Sequence, residues 1–218
     1  MSSEVRDRRL AFELEELQRL AEESSLIRFL ANDEYQPDQY YVEFHCNGLM
    51  QKDRITDRHV VHIYLHAEYP RKPPAIQFTT PIFHPNIKAF LDDDQQISRF
   101  AQDLGGLQNL ENLFNRDPAV RELFYARICL NVLEELNWTP AITLYDICLE
   151  LGAMIQFQRF NVEDPFNKEA AEWARWARTQ PGLLPIDSRD LRDRAQVESA
   201  RGVGQVNVRI LKVEKVAP

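Results

Sequence analysis

Residues 68–87 read EYPRKPPAIQFTTPIFHPNI, a stretch that combines a proline-rich turn with a short strand and a second, polar turn. The prolines from Pro70 to Pro74 fix φ and lack a backbone N–H, so they exclude a helix at the first turn. Ile76 and Phe78 alternate about a polar neighbour, which predicts a strand directly after it. The second turn contains His84-Pro85-Asn86. These residues therefore predict the last strand of a sheet and the polar turn that follows it.

The residues before this stretch predict a helix and two further strands. Apolar side chains recur at helical spacing from Val5 to about Glu23, which indicates an amphipathic helix. Apolar and polar side chains then alternate over residues 40–46 and again over residues 61–67. Three strands in succession favour an antiparallel sheet of hairpin-like connections.

The residues after it predict helices. Leu144 to Ile155 carries an apolar stripe with Thr143 as its candidate cap, and a second stripe from Phe166 to Ala177 follows Asp164-Pro165. Strands grouped before helices favour an α+β fold with an antiparallel meander sheet over a doubly wound parallel one. We therefore expect a main domain over residues 1–180. Residues 181–218 are expected to form a C-terminal extension, with a strand-like tail at Val206–Ile210.

The composition of the chain reduces the number of functions that it could have. The chain has 218 residues, 44% apolar and 28% charged, which is ordinary for a globular domain. A net charge of −8 argues against a general nucleic-acid binder, because such proteins need a basic surface. Three cysteines with no CxxC spacing fit a reducing compartment. The charged N-terminus has no apolar signal core, so we expect a cytoplasmic protein.

The cysteine at position 129 stands in a pattern that extends across the chain. It lies in Ile128-Cys129-Leu130 and is followed by Trp138-Thr139-Pro140-Ala141. Together with residues 68–87, these motifs resemble the signature of ubiquitin-conjugating enzymes. The resemblance covers roughly residues 5–178, and it identifies residues 1–180 as a UBC-like catalytic domain. It implies that Cys129 accepts a ubiquitin-like protein as a thioester from an activating enzyme and passes it to an amine, such as a lysine of a target.

The resemblance also assigns roles around Cys129. A thiolate attacks thioesters well and forms a thioester that an amine can attack, so no metal or cofactor is needed at this step. Asn86 would donate to the oxyanion of the transfer step, or brace its own loop. Asp164 would position the incoming amine and help remove its proton, or else cap the following helix. His84 and Pro85 are expected to order the local backbone.

One position beside the nucleophile departs from the family pattern. Asn131 stands where many members carry an acidic residue, which removes one charge next to Cys129.

The expected partner contacts lie at three places. Arg8 and Arg9 fall on the first helix, which meets the activating enzyme in this family, although arginines on a helix are also typical of a solvated face. Pro140, Ala141 and the loop containing Arg71 correspond to the ends that grip the activating enzyme and the ligase. Arg71 occupies a position that is often a large apolar anchor, which argues against that mode of ligase docking.

Two other functions are compatible with the residues. The chain could be a non-catalytic scaffold of the same fold that binds ubiquitin-like proteins, although such relatives lack the cysteine. It could also be a cysteine hydrolase that pairs Cys129 with His84 as base. Arginine outnumbers lysine 20 to 6. This excess, Arg71 and the insertion described next suggest a bacterial member, as found in conjugation operons associated with phage defence.

An insertion separates the two halves of the signature. Residues 88–127 contain a break at Gly105-Gly106 and a plausible helix start at Asp117-Pro118, so we expect helices of their own. About 40 residues thus separate Asn86 from Cys129, where the family has a handful. The cost of closing a longer loop grows slowly, so the site can still assemble. We therefore predict that Asn86 and Cys129 lie close together, with the insertion at the rim of the site.

Overall fold

A computed structural model describes residues 3–88, 102, 105–106, 108–109, 112, 127–130, 133–134 and 136–193. Its described elements, in chain order, are helix α1 (Ser3–Glu23), strands β1 (Ile27–Ala31), β2 (Gln39–Phe44), β3 (Gly48–Gln51), β4 (Arg54–Thr56), β5 (His59–Tyr64), β6 (Ala75–Phe78), β7 (Ile87–Lys88) and β8 (Arg127–Ile128), and helices α2 (Leu144–Ile155) and α3 (Lys168–Ala177). This order confirms the predicted α+β class, with an N-terminal helix, an antiparallel sheet and C-terminal helices. The helices found in the described parts of the chain are too short or too polar to cross a bilayer.

The main sheet has the strand order β1-β2-β5-β6, and every neighbouring pair is antiparallel. Its register places four apolar residues in one row across the sheet, Phe29, Val42, Val61 and Phe78. All four are buried, which explains why the alternating patterns of the sequence share one face. The β3-β4 hairpin lies between β2 and β5 in the chain and forms a sheet of its own.

Helices α1 and α2 cover the buried face of this sheet. Leu17 and Leu20 of α1 and Ile147 and Leu151 of α2 are fully buried in one cluster with the sheet residues. Thr143 caps α2 as predicted, because its side chain accepts from the backbone N–H of Asp146 in a capping box.

The start of α3 differs from the prediction. Asn167 is the N-cap, and its side chain accepts from the backbone N–H of Ala170 at 3.0 Å. The helix therefore begins at Lys168, and the interpretation of Asp164 as its cap is wrong. The chain makes a bend at Asp164 before it reaches the cap, so this carboxylate has no capping role.

The two ends of the insertion lie side by side. Strand β7 pairs with β8 in antiparallel register, with Ile87 opposite Ile128. The chain thus leaves along β7 and returns along β8, its pairing partner. Because the two ends of the insertion are paired, its length does not separate the residues on either side of it. The helices predicted within residues 88–127, and the strand-like tail at Val206–Ile210, lie outside the described residues.

The boundary predicted at residue 180 is not a boundary of packing. Leu191 belongs to the main core and lies against Gly152, where a Cβ would come within 2.0 Å of a Leu191 methyl carbon. Asp187 is buried and accepts from the backbone N–H of Asn47 at 2.7 Å. The packed unit therefore continues to at least Leu191.

Candidate active site

The paired ends of the insertion bring Asn86 and Cys129 together. The backbone N–H of Cys129 donates to the backbone carbonyl of Asn86 at 2.8 Å, directly beside the Ile87–Ile128 pair. The two residues predicted to form one site are thus neighbours in space, although the insertion separates them in the chain.

The turn that carries Asn86 is held from inside the protein. His84 is fully buried, and its Nδ1 accepts from the backbone N–H of Asn86 at 3.1 Å. Burial lowers the pKa of His84 to about 3, so its imidazole is neutral at ordinary pH. The carbonyl of Pro85 accepts from the backbone N–H of Asn167 at 3.0 Å, which ties the turn to the start of α3. His84 and Pro85 therefore make contacts that order the backbone.

The side-chain amide of Asn86 has a fixed orientation. Its Oδ1 accepts from the backbone N–H of Asn161 at 2.8 Å, and the side chain is only 7% exposed. Since a backbone N–H must meet the oxygen of the amide, the other end of the group is the donor Nδ2. The same residue thus braces the loop at Asn161 with one atom and carries a hydrogen-bond donor on the other.

Cys129 is partly exposed, unlike Cys46 and Cys148, which are buried in the core. Its Sγ lies 4.0 Å from Oε1 of Glu134. Burial raises the pKa of the Cys129 thiol, and the negative charges of Glu134 and Asp164 raise it further. The thiol is therefore protonated at neutral pH.

Glu134 is a residue of this site that the sequence did not indicate. Its backbone carbonyl accepts from the N–H groups of Asn137 and Trp138, both at 2.9 Å, so it starts a tight turn. The indole of the buried Trp138 in turn donates to the carbonyl of Pro70 at 2.8 Å. The position of Glu134 beside the sulfur is thus set by a turn that is anchored in the core.

Asp164 is exposed in the loop that leads to α3. Its charge contributes to the raised pKa of Cys129, although no direct contact joins the two side chains among the described residues, and its role in catalysis stays a prediction. Asn131 lies outside the described residues.

An open cavity of about 530 Å³ lies around the sulfur. Asn86, Cys129 and Asn161 contribute polar groups, and Leu130, Met154 and Phe160 contribute apolar ones, in a lining completed by Asn137, Glu150 and Arg159. Glu150 and Arg159 form an ion pair with each other. The cavity can therefore receive an extended peptide with an apolar part and place a carbonyl carbon next to Cys129.

Among the predicted partner-binding residues, Arg9 has a different role. Its guanidinium donates to the carbonyls of Pro140 and Ile142, both at 2.7 Å, and pairs with the buried Glu13 at 2.5 Å. Arg9 is partly buried and uses its charge and its two Nη groups within the fold, so it is not part of a solvated face, and its contact with a partner stays a prediction. These bonds tie α1 to the loop before α2.

The other predicted partner residues lie at the surface. Arg8 is exposed and pairs only with the exposed Glu4 among the contacts of the described residues. Arg71, Pro140 and Ala141 are also exposed. These four remain open to a partner.

The fold and the site define an α+β protein in which a partly exposed thiol and a buried amide line one cavity. A family model described as ubiquitin-conjugating enzyme matches residues 15–90. Two curated relatives, described as a Nedd8-conjugating and a ubiquitin-conjugating enzyme, match over longer stretches. The chain is therefore similar to ubiquitin-conjugating enzymes.

The relatives are distant. A Nedd8-conjugating enzyme of Drosophila melanogaster is 28% identical over 123 residues, which cover 56% of this chain and 47% of that protein. A ubiquitin-conjugating enzyme of Schizosaccharomyces pombe is 25% identical over 144 residues, with 66% and 70% covered. The chain thus spans about half the length of the Drosophila relative. Among solved structures, the E2 domain of a Toxoplasma gondii ubiquitin conjugating enzyme has a TM-score of 0.47 and 18% identity, and the match covers 87% of this chain and 96% of that one.

Proposed function

We propose that this chain is an active ubiquitin-conjugating-type enzyme that carries a ubiquitin-like protein as a thioester on Cys129 and transfers it to an amine. The observation that carries the proposal is the 2.8 Å bond between the backbones of Cys129 and Asn86. It joins a thiol and an oriented amide in one cavity, despite the intervening insertion.

The first step is an exchange of thioesters. The Cys129 sulfur attacks the thioester carbonyl that an activating enzyme presents, a new C–S bond forms, and the thiol of the activating enzyme leaves. Because burial and the nearby acidic groups raise the pKa of the Cys129 thiol, its proton must pass to solvent or to the departing sulfur as it attacks. The stored energy of the thioester is retained, so the exchange needs no further energy source.

The second step is aminolysis. An amine attacks the thioester carbonyl, and the negative charge that develops on the carbonyl oxygen requires a donor. The orientation of the Asn86 amide, with Oδ1 held by Asn161, supports Nδ2 as that donor. Asp164 is exposed, and its charge reaches the sulfur, which supports a role in holding the amine.

The partners follow from the reaction. They are a ubiquitin-like modifier, an activating enzyme and a protein target, with Arg8, Arg71, Pro140 and Ala141 as candidate contacts. The charged Arg71 disfavours a ligase that requires an apolar anchor at this loop. We further propose a cytoplasmic protein of a bacterial conjugation operon linked to antiviral defence. Genes for a modifier and an activating enzyme beside this one would support that origin, and their absence would contradict it.

The direct test is the formation of a covalent adduct. The chain is incubated with ATP, an activating enzyme and its modifier, and the products are separated without reducing agent. We expect an adduct that thiols remove in the native chain, no adduct in Cys129→Ala, and a slower, thiol-resistant ester in Cys129→Ser. A thermal melt of each variant checks that the fold is retained. The absence of an adduct with every modifier tried would leave the scaffold function, in which the modifier binds to the native chain and to Cys129→Ala alike.

The hydrolase alternative is disfavoured by His84. A general base must reach the sulfur and take up a proton near neutral pH. His84 is fully buried, its Nδ1 is occupied by the N–H of Asn86, and its pKa is lowered to about 3.

A further inference from the structure

Among the described residues, the charged group in contact with the sulfur is Glu134, which comes five positions after the nucleophile in the chain. Its Oε1 lies 4.0 Å from Sγ of Cys129. Its other oxygen, Oε2, accepts from the side-chain amide of Asn137 at 3.3 Å, and Asn137 itself lines the cavity. The carboxylate is thus aimed at the sulfur by a neighbour that belongs to the same site.

This carboxylate has no structural task comparable to that of a buried acid. It is exposed, and its turn is closed by two hydrogen bonds to its backbone carbonyl, with one exposed side-chain bond from Asn137 beside them. A charge next to a nucleophilic thiol also has a chemical cost, because it opposes the thiolate form that attacks. A group that hinders one step of a reaction and contributes little to the fold is explained if it serves another step.

Aminolysis is the step that an anion at this position favours. A lysine reaches the site as an ammonium ion, which a carboxylate attracts, and its nitrogen must lose protons as the new bond forms. Once Cys129 is acylated, the sulfur no longer becomes an anion until it leaves. The same negative charge therefore stops opposing the chemistry and begins to hold the attacking group.

We propose that Glu134 is a catalytic residue of the transfer step, which binds the acceptor amine beside the thioester and accepts a proton from it. The proposal rests on the proposed function. It assigns to the transfer step a second carboxylate in addition to Asp164, and it makes the acceptor an amine that approaches the sulfur from the side of Glu134 and Asn137.

The lysine that reaches the site as an ammonium ion first releases one proton to solvent. The lone pair of the resulting amine nitrogen forms a C–N bond with the thioester carbonyl carbon, and the carbonyl electrons move to oxygen. Glu134 takes a proton from the nitrogen. The oxygen electrons then re-form the carbonyl, the C–S bond breaks, and the Cys129 sulfur leaves as a thiolate that receives the proton from Glu134. The products are an amide and a free Cys129 thiol.

The experiment compares Glu134→Gln with the native chain in two reactions that the charge affects in opposite directions. The control is Glu172→Gln, which removes the same charge from an exposed site on α3. First, the free thiol is alkylated with iodoacetamide at pH 7.5. We expect Glu134→Gln to react faster, by about two- to tenfold, because loss of the anion lowers the pKa of Cys129.

In the second reaction, Cys129 is acylated with excess ubiquitin 2-mercaptoethanesulfonate thioester, the reagent is removed, and the conjugate is mixed with free lysine. We expect the single-turnover transfer rate of Glu134→Gln to fall at least about tenfold, which is less than the roughly 10²–10⁴-fold of a sole acid–base group. Glu172→Gln should match the native chain in both reactions. A thermal melt of each variant checks that the fold is retained, because a misfolded chain would also expose its thiols and lose transfer.

The two hypotheses fail in different ways. If the native chain forms the conjugate but does not pass it to lysine faster than to water, the proposed function fails. If the native chain transfers to lysine and Glu134→Gln transfers equally fast, the role of Glu134 is refuted and the proposed function stands. Unchanged or slower alkylation in Glu134→Gln would refute the contact with the sulfur.

Discussion

Glu13 and Glu134 show that this chain uses acidic residues differently in its packed core and at its candidate active site. Glu13 is 0% exposed and accepts from the hydroxyl of Tyr69, from the backbone N–H of Leu144 at 2.7 Å and from Arg9. Glu134 is exposed, and its side chain contacts the Cys129 sulfur and the Asn137 amide. One carboxylate is enclosed by its partners, and the other is open to a substrate.

This difference predicts that Glu13 contributes to the stability of the fold and Glu134 to the reactivity of the site. Glu13 joins α1, the proline-rich turn and the first residue of α2, so three parts of the chain depend on it. Removing it leaves buried donors without an acceptor, which is costly in the interior. Water can replace the contacts of Glu134, so its removal should change reactivity while leaving the fold intact. The four predictions below test this separation.

The largest effect is expected for Glu13→Ala. Arg9, Tyr69 and the N–H of Leu144 would lose their shared acceptor, and we expect the free energy of unfolding to fall by about 3–5 kcal/mol. Chemical denaturation measures this change. The matched control is Glu4→Ala, which removes the exposed partner of Arg8 at the same i,i+4 spacing on the same helix and should cost less than about 1 kcal/mol. Similar losses in the two variants would contradict the distinction.

The next effect concerns Asn86, which both braces the fold at Asn161 and lines the cavity of the site. Asn86→Ala removes the acceptor for Asn161 and the Nδ2 donor, whereas Asn86→Asp keeps an acceptor oxygen but replaces the donor with a negatively charged oxygen. We expect both variants to slow transfer from Cys129 by about 10²–10³-fold, since one oxyanion donor is lost in each. Only the alanine variant should also lose stability, by about 1 kcal/mol. Near-native transfer by Asn86→Asp would show that bracing, rather than donation, is the role of this residue.

A third prediction concerns acid stability and His84. Its pKa is about 3 in the folded protein against an ordinary value near 6.5, so between these values the unfolded chain binds more protons. Stability from this group is therefore complete above pH 6.5 and declines as the pH falls toward 3. At pH 5 the loss amounts to about 2 kcal/mol. Denaturation at pH 7 and 5 should show a smaller decline in His84→Gln by about that amount, and an unchanged decline would contradict a buried neutral imidazole.

The sequence predicted the secondary structure of the core better than it predicted the charged contacts of the candidate active site. The row formed by Val42, Val61 and Phe78 could be recognised because alternation along a strand depends only on neighbours in the chain. Strand β1 was missed, although Ile27, Phe29 and Ala31 alternate in the same way. Its five residues come directly after a long helix, and so short an alternation is a weak signal.

The wrong or missing interpretations share a physical cause. Arg9 bonds to Pro140 and Ile142, which lie more than a hundred positions away, so no local pattern could show that it is internal. Glu134 comes to Cys129 through a turn whose geometry depends on the burial of Trp138. Partners brought together by tertiary packing thus escape sequence reasoning, whereas the Asn86–Cys129 contact followed from the motif on each side of the insertion.

The smallest expected effect is that of salt on the two carboxylates. Between 0.05 and 0.5 M ionic strength the screening length falls to a few ångströms, and this screening acts on exposed charges far more than on buried ones. The pKa of Cys129 should therefore decrease by a few tenths of a unit as the charges of Glu134 and Asp164 are screened, which pH-dependent alkylation in NaCl can resolve. The stability difference between Glu13→Ala and the native chain should be the same at both salt concentrations, because that group is enclosed. If the stability difference of Glu13→Ala depended on salt and the pKa of Cys129 did not, the distinction between an enclosed Glu13 and an open Glu134 would be contradicted. Since both measurements use one buffer series, they compare directly how salt affects a buried carboxylate of the core and an exposed carboxylate of the site.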